Sequence, residues 1–334
     1  MNFKIPLFVF VYCVFVACKR DSLQINVSHI DAEISIERFD IDFFSLANFS
    51  TKNNSPSKLA EKYNPFFDNY TQYVIQIGKR EELDFQKELS DFFNDSIISK
   101  LYDTCQHIFS DIKSIEKEIS QGFKYYKYYF PEKNLPRILT HISGFNESII
   151  LDKGIISIGI DKYLGSNHTF YKRLGIHKYL RKKMKPKQIP TDVFLAIGKT
   201  EIPQGKLNTL LDYMVYYGKV YYFLKAMFPK KNEYELFNFD ENQELWCKVN
   251  EADMWRFLAS KNHLFSSDKK IINRYIQDAP FTKGFPEGSP DKTGIWIGLQ
   301  IIKSYMKNSK ITLIEMLYQV DYELILRKSG YRPS

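Results

Sequence analysis

Apolar side chains recur every three or four residues in three long stretches of the chain, a spacing that places them on one face of an α-helix. The first stretch runs from Lys58 to Ile77, and the second from Ser110 to Phe130, where a proline ends it. The third, from Asn208 to Phe228, is apolar around most of its circumference. A helix of that kind is buried on all sides, so we expect it at the centre of the domain.

Two more helices are expected towards the C-terminus. One covers Asp240 to Leu258, and the other begins at Ser289-Pro290, with serine as the N-cap and proline at the first helical position. Gly294 and Gly298 lie one turn apart in this second helix. Since glycine has no side chain, the pair allows another element to approach the helix closely.

The pattern changes to that of β-strands in two places. Residues 33–39 alternate polar and apolar side chains. The segment between Pro136 and Leu164 is rich in β-branched residues and contains turns at Gly144 to Asn146 and at Asp152 to Gly154. We therefore predict an α+β, predominantly helical fold in which a meander of short strands forms a small antiparallel sheet packed with helical layers. No internal repeat is evident.

The first 17 residues contain one lysine followed by an apolar run that is too short to span a bilayer as a permanent helix. This arrangement is typical of a secretory signal peptide. The run ends in Phe15-Val16-Ala17-Cys18, which resembles the lipobox of bacterial lipoproteins. We expect the Cys18 thiol to carry a diacylglycerol and palmitate anchor. The alternative is an ordinary signal peptide with an incidental cysteine.

This N-terminus predicts the domain organisation and the location of the protein. Residues 1–17 are the signal peptide, 18–30 a lipid-anchored tether, and 31–334 a single α+β domain in the cell envelope, facing outside the cytoplasm. The formal charge of +8 and pI near 9.0 would otherwise suggest a nucleic-acid partner. Outside the cytoplasm we expect no nucleic acid, and membrane contact through the lipid anchor.

Composition adds two points. Aromatic residues make up 16% of the chain and there are only 15 glycines, which excludes glycine-rich repeats and provides ample apolar mass for a core. Cys105 and Cys247 remain once the signal peptide is removed and Cys18 is lipidated. They either form a disulfide or are separate small core residues.

The sequence contains no recognisable catalytic motif. No two of the six histidines are three or four residues apart, so the His-Glu-x-x-His of zinc hydrolases is absent, as are Gly-x-Ser-x-Gly and phosphate-binding loops. We expect His141 to be a hydrogen-bonded structural histidine in a strand. Carboxylate pairs such as Asp240 with Glu241, or Glu251 with Asp253, leave glycosidase-type chemistry open. The balance favours a non-catalytic binding protein without cofactor or metal.

A basic stretch, Lys178 to Lys187, has lysine or arginine at six of its ten positions. Such a run usually belongs to an exposed helix end. The other interpretation is a contact with anionic lipid head groups or acidic glycan. The cations concerned would be Arg181, Lys182, Lys183, Lys185 and Lys187.

Six segments together resemble the gliding-motility lipoprotein family GldB of Bacteroidetes, in the order of that family. They are Phe123 to Glu132, His141 to Phe145, Ile158 to Gly165, Tyr213 to Lys219, Trp246 to Glu251, and Ala279 to Phe281 with Gly294 to Gly298. The resemblance implies an envelope lipoprotein needed for gliding coupled to type IX secretion, with envelope proteins of that machinery as partners and no established enzymatic activity. Ser22 and Ser96 stand in short patterns that resemble O-glycosylation acceptors of the same bacterial group.

The order of helices also resembles the scaffold of gluzincin-type zinc peptidases. The helix expected near residues 190–200 has no histidine, and Tyr217 stands before Gly218 where those enzymes have a glutamate. The likeness implies a pseudo-peptidase without its metal site, whose former cleft is packed shut or binds a partner. A divergent peptidase-like or glycan-acting hydrolase is the alternative. The cleft residues would be Tyr213, Tyr216, Tyr217, Trp246, Asn250 and Glu251.

Overall fold

The computed structural model describes residues 23–47 and 55–334. The predicted signal peptide, Cys18 and Ser22 lie outside the described residues. Residues 23–30, expected as part of a free tether, instead pack on the domain, since Leu23 and Val27 are buried. The hydroxyl of Tyr125 donates to the carbonyl of Ile25 at 3.4 Å and helps to hold this segment in place.

Four short strands form one sheet in the order β1-β2-β4-β3. They are β1 (Ile36–Glu37), β2 (Arg137–His141), β3 (Ile149–Asp152) and β4 (Ile155–Gly159). β1 and β4 both pair with β2 in parallel, and only β3 and β4 pair antiparallel. The predicted antiparallel sheet is therefore wrong. After β2 the chain does not form the neighbouring strand. It first forms β3 at the edge of the sheet and then returns as β4, which lies between β2 and β3.

Six α-helices and a π-helical turn lie between β1 and β2 in the described part of the chain. They are α1 (Phe39–Phe44), α2 (Pro56–Tyr63), α3 (Phe66–Asn69), a π-helical turn (Tyr70–Val74), α4 (Phe85–Asn94), α5 (Ser96–Ile108) and α6 (Lys113–Tyr129). α6 agrees with the predicted helix. The single helix predicted from Lys58 to Ile77 is wrong, because Pro65 forces extended backbone at Asn64 and interrupts it.

Eleven further helices follow the sheet among the described residues. They are α7 (Thr169–Arg173), α8 (Lys178–Arg181), α9 (Ile189–Glu201), α10 (Leu210–Met227), α11 (Glu233–Phe237), α12 (Glu241–Val249), α13 (Glu251–Ser260), α14 (Lys269–Ile276), α15 (Thr293–Asn308), α16 (Leu313–Tyr318) and α17 (Tyr322–Ser329). The helix expected from Asp240 to Leu258 is divided at Asn250. α15 begins at Thr293 rather than at Ser289-Pro290, because those residues belong to a closed loop that precedes it.

α10 lies at the centre of the domain, as its apolar circumference predicts, and packs against α15. A Cβ built at Gly298 would lie 1.8 Å from the carbonyl oxygen of Met214, and one at Gly218 would lie 2.4 Å from the backbone of Gly298. The two backbones can approach only because both positions are glycine. The close approach expected at Gly298 is confirmed.

Two of the central helices end with the same motif, Lys-x-x-Phe-Pro-x-Lys-Asn, at residues 127–134 and 225–232. In each copy the Nζ of the first lysine donates to the carbonyls of the proline and of the second lysine, at 2.6 and 2.8 Å in the first copy and 3.0 and 2.8 Å in the second. In both copies the lysine of the last helical turn thereby holds the loop that follows the helix. The expectation of no internal repeat is therefore wrong for this motif.

Candidate functional site

Two lysines and two aspartates form a chain of ion pairs where the loop before α15 meets the basic stretch. Lys292 Nζ lies 2.9 Å from Asp278 Oδ1 and 3.7 Å from Asp291 Oδ2. Lys183 Nζ lies 2.5 Å from Asp278 Oδ2. We call these four residues the charged cleft.

The loop 278–292 is folded back on itself, which fixes the two aspartates. Ala279 N donates to Asp291 Oδ2 at 3.3 Å, and both the N–H and the hydroxyl of Thr282 donate to the carbonyl of Pro290, at 2.9 and 2.8 Å. Lys292 has a left-handed backbone, with φ of 50°, and caps the start of α15. The lysine side chain is thereby held between the two carboxylates.

The ion pairs decide the protonation states in the charged cleft. Burial opposes ionisation of Asp278, yet Lys292 and Lys183 outweigh it and hold the pKa of this carboxyl well below its usual range. Burial likewise disfavours the charge of Lys292, but Tyr221, Asp291 and Asp278 raise its pKa. Asp278 and Lys292 are therefore both charged at neutral pH and form an ion pair.

A second acidic group lies near the same cations on α9. Asp192 accepts a hydrogen bond from the Tyr163 hydroxyl at 2.9 Å and from the Gln188 amide at 3.2 Å. Burial raises the pKa of Asp192, while Lys183 and Lys292 act in the opposite direction. Through its ion pairs, the charged cleft connects the segment after α8 with the loop before α15.

The cavity at the charged cleft is small. Its volume is about 20 Å³, which is room for one water molecule. A carboxylate that acts as nucleophile or general base must lie within hydrogen-bond distance of a substrate atom. This cavity would have to widen before a substrate could enter it. Apart from the four charged residues, the lining consists of Tyr179, Lys182, Phe237, Asn238, Phe239, Gln243, Ala279 and Pro280.

The three predicted tyrosines all lie on α10, and two of them contact Lys199 of α9. Tyr216 is buried, and its hydroxyl donates to the Lys199 carbonyl at 3.1 Å. Tyr217 packs 5.1 Å from the Tyr216 ring and lies under Lys199 Nζ at 5.9 Å. Tyr213, one turn before Tyr217, is half-buried. These contacts fill the space between α9 and α10 with aromatic rings.

The other three predicted residues lie at the junction of α12 and α13. Trp246 contacts Phe285 with ring centroids 6.0 Å apart, and the Asn250 amide donates to the Trp246 carbonyl at 2.8 Å. Glu251 accepts a hydrogen bond from the Tyr331 hydroxyl at 2.7 Å. Within the described residues, no hydrogen bond or ring contact joins this group to the three tyrosines, so the six residues form two separate groups.

The basic stretch differs from residue to residue. Lys183 belongs to the charged cleft, and Lys182 and Lys187 are exposed. Burial lowers the pKa of Lys185, and the neighbouring charges of Lys187 and Lys182 lower it further. Arg181 Nε is buried without a hydrogen-bond partner among the described residues.

A larger cavity, which the sequence did not indicate, lies between α6, α9 and the β3–β4 hairpin. We call it the hairpin groove; its volume is about 320 Å³, the size of a small ligand pocket. At one wall the Tyr126 hydroxyl donates to the carboxylate of Glu201, with its oxygen 2.9 Å from Oε1 and 2.8 Å from Oε2. The lining is Phe123, Tyr126, Asn134, Leu135, Pro136, Leu151, Asp152, Lys153, Gly154, Ile155, Ile156, Ile197, Thr200 and Glu201.

Neither cysteines nor metal ligands add a further centre. Cys105 and Cys247 are both buried free thiols, so they are core residues rather than a disulfide. In residues 23–47 and 55–334, no group of three or more His, Cys, Asp or Glu residues is placed to hold a metal ion. The same residues contain no helix that is both long and apolar enough to cross a membrane.

The fold and its cleft define a predominantly helical α+β protein with a partly exposed cluster of ion pairs. The chain matches the family of the gliding motility protein GldB over residues 20–333 and belongs to that family. Membership indicates a role in gliding motility and supports a membrane-anchored lipoprotein of the cell envelope. No curated protein and no solved structure matches the chain. The likeness to gluzincin-type zinc peptidases is therefore without support.

Proposed function

We propose that the protein is a non-catalytic envelope lipoprotein that serves gliding motility coupled to type IX secretion by binding partner proteins of that machinery. The observation that carries this proposal is the family match over residues 20–333. Lipid on Cys18 would hold the domain at a membrane, outside the cytoplasm. Leu23 is five residues beyond Cys18, a separation of at most about 18 Å, so the domain would stay close to that membrane.

The charged cleft supports binding rather than catalysis. Asp278 contacts two ammonium groups, those of Lys183 and Lys292, at 2.5 and 2.9 Å. An acid paired in this way is a poor nucleophile and a poor general base, because its negative charge is already stabilised. We propose that the cluster is structural and joins the segment after α8 to the loop before α15.

The alternative function is a divergent peptidase-like or glycan-acting hydrolase, on a pseudo-peptidase scaffold or another. One observation favours it: burial raises the pKa of Asp291, the direction required of a general acid. This function would need the cavity of about 20 Å³ to widen before any substrate could enter.

The basic stretch supports a second, weaker proposal of contact with anionic head groups or acidic glycan. Residues 172–187 contain eight lysines and arginines and no acid, as many positive charges as the formal surplus of +8 for the chain. Reversal of Lys182 and Lys187 to glutamate is expected to weaken binding to anionic vesicles or acidic polysaccharide. Unchanged binding to both would remove this proposal.

The proposed function is tested by purifying an epitope-tagged full-length protein from gliding cells after chemical crosslinking. We expect it to carry envelope proteins of the gliding or secretion machinery, and a Cys18→Ala variant to lose both the membrane fraction and these partners. Recovery of no envelope protein with the wild-type chain, although it is present in the membrane fraction, would contradict the proposal.

A further inference from the structure

The outer edge of β3 carries backbone groups that have no hydrogen-bond partner. Gly159 N donates to the carbonyl of Ser148 at 2.8 Å, which makes this pair a hydrogen-bonded one. Because hydrogen-bonded and non-bonded pairs alternate along an antiparallel ladder, Ile149 and Leu151 direct their N–H and C=O away from β4. Among the described residues, no hydrogen bond is made by these groups.

The opposite edge of the sheet is closed by side chains. Glu116 of α6 accepts a hydrogen bond from Ile36 N at 2.8 Å, and Ser120 Oγ accepts one from Ile34 N at 2.9 Å. Proteins commonly cover or blunt an edge strand in such a way, since an open edge pairs with other chains. Among the residues that the structure describes, no side chain hydrogen-bonds to the outer edge of β3 in this way.

The side chains of β3 also favour association. Its first three residues are Ile149, Ile150 and Leu151, and Leu151 is 37% exposed. No charge or proline interrupts these three positions, although such residues usually protect an edge. Leu151 is part of the wall of the hairpin groove, so the open edge adjoins a cavity of about 320 Å³ that is lined partly by apolar side chains.

We propose that β3 and the hairpin groove bind an extended segment of a partner protein. The segment adds as a fifth strand beside β3, and its alternate apolar side chains enter the groove. This inference rests on the proposed partner-binding function and deepens it by naming the surface and the form of the partner.

A second copy of this chain is a poorer occupant of the edge. Two four-residue strands paired at β3 would contribute few hydrogen bonds, and a stable interface buries at least about 1,200 Å². A partner segment that continues past the hairpin into the groove gains the additional apolar contact that edge pairing alone does not provide.

Two substitutions separate pairing at the edge from packing in the groove. Leu151→Pro removes an outward N–H and leaves the β3–β4 ladder intact, because that N–H takes no part in it. Leu151→Thr is its matched control, since it shortens the side chain but keeps the N–H. Thr200→Arg places a long side chain at the groove wall, and Gln121→Arg adds the same side chain to an exposed position of α6 outside the groove.

The test measures binding of a fluorescent peptide of alternating valine and threonine with a lysine at each end. A second peptide has methyl groups on the amide nitrogens of one edge. We expect wild type and Gln121→Arg to bind the first peptide and not the second, and Leu151→Pro and Thr200→Arg to bind at least tenfold more weakly, with Leu151→Thr much less affected. Bound peptide should slow hydrogen exchange at the amides of Ile149 and Leu151.

Equal binding of the two peptides, equal binding by all folded variants, or no binding by wild type would each overturn the inference. A dimer in light scattering that Leu151→Pro abolishes would assign the edge to a second copy instead. If crosslinked envelope partners from gliding cells are the same for wild type, Leu151→Pro and Thr200→Arg, the β3 surface is wrong while the partner-binding function stands.

Discussion

His141 shows how a buried side chain can make the stability of this protein depend on pH. It is fully buried between Phe66 and Tyr70, and its Nδ1 shares a hydrogen bond of 2.7 Å with the Ser157 hydroxyl. Burial lowers the pKa of His141 to about 3. The strand position and the hydrogen bond agree with the structural role expected from the sequence.

The first prediction concerns His141→Gln. Between pH 6.5 and about 3 the unfolded chain binds a proton that the folded His141 refuses, so stability falls as the pH decreases through this window. The part of this loss that His141 contributes is about 5 kcal/mol. In urea unfolding at a series of pH values, His141→Gln should lose this dependence, whereas His107→Gln, at an exposed position of α5, should keep it. Parallel curves for wild type and His141→Gln would contradict the prediction.

The second prediction concerns Asp161, which has the opposite effect. Asp161 accepts hydrogen bonds from Phe145 N at 2.6 Å and from Ser143, but burial raises its pKa from 3.8 to about 6. The folded state holds a proton that the unfolded state releases, so stability decreases as the pH rises from about 4 to about 6. Asp161→Asn should remove this slope.

The two slopes oppose each other in the wild-type chain. Unfolding free energies measured from pH 4 to 6 should therefore change less with pH in wild type than in either variant. Asp161→Asn should lose stability more steeply on acidification, and His141→Gln should gain it. If both variants deviate from wild type in the same direction, the assignment of these two groups is wrong.

At the scale of helices and strands, Lys219 connects α10 with the C-terminal part of the chain. This lysine is fully buried, and its Nζ donates to the carbonyls of Leu317 and Gln319 at 2.9 Å each. Lys219→Met leaves these carbonyls without a donor and should lower the unfolding free energy by about 3 kcal/mol. Chemical unfolding checks the value; Lys206→Met, at an exposed position, should change it by less than about 0.5 kcal/mol.

The crossing of α10 and α15 gives the fourth prediction. Gly298→Ala places a methyl group 1.8 Å from the Met214 carbonyl oxygen, so the helices must separate. We expect a loss of about 3 kcal/mol or more in unfolding free energy, measured by urea denaturation. Gly288→Ala is the matched control, because its added methyl group would meet nothing closer than 3.8 Å. A smaller loss at Gly298 than at Gly288 would contradict the close approach.

Periodicity predicted the elements whose pattern is local. α6 and α10 were identified because their apolar positions repeat along one stretch of chain. The order of the strands was not, since the pairing of β2 with β4 depends on which segments meet after the chain has crossed to β3. Pro65 causes the interruption after Tyr63. Because the apolar spacing is helical on both sides of this proline, periodicity alone predicts one continuous helix.

At the scale of the whole molecule, the residues of the charged cleft are far apart in the sequence, so the sequence alone does not predict that they meet. Lys183 stands in the basic stretch, whereas Asp278, Asp291 and Lys292 come from a loop almost a hundred residues later. No fixed spacing relates residues that only the tertiary fold brings together. The six cleft residues expected from the resemblance were chosen from aromatic segments, and the fold places them in two groups.

We propose that the acids of the charged cleft are structural and that the protein contributes to gliding by binding partners. Lys183→Met combined with Asp278→Leu replaces an ion pair by apolar side chains of similar size. Such a replacement is often tolerated, because both charges of the Lys183–Asp278 pair are removed together and neither is left without its partner. Lys292 keeps Asp291 as its partner.

The most direct test of the central claim is the gliding speed of single cells whose chromosomal copy encodes this double variant. Cells lacking the gene should not glide, and cells with the folded double variant at normal abundance should glide at the wild-type speed. Gliding lost in the double variant as completely as in the deletion, with the protein folded and at its normal level in the membrane, would show that the charged cleft acts in function itself and would contradict the account.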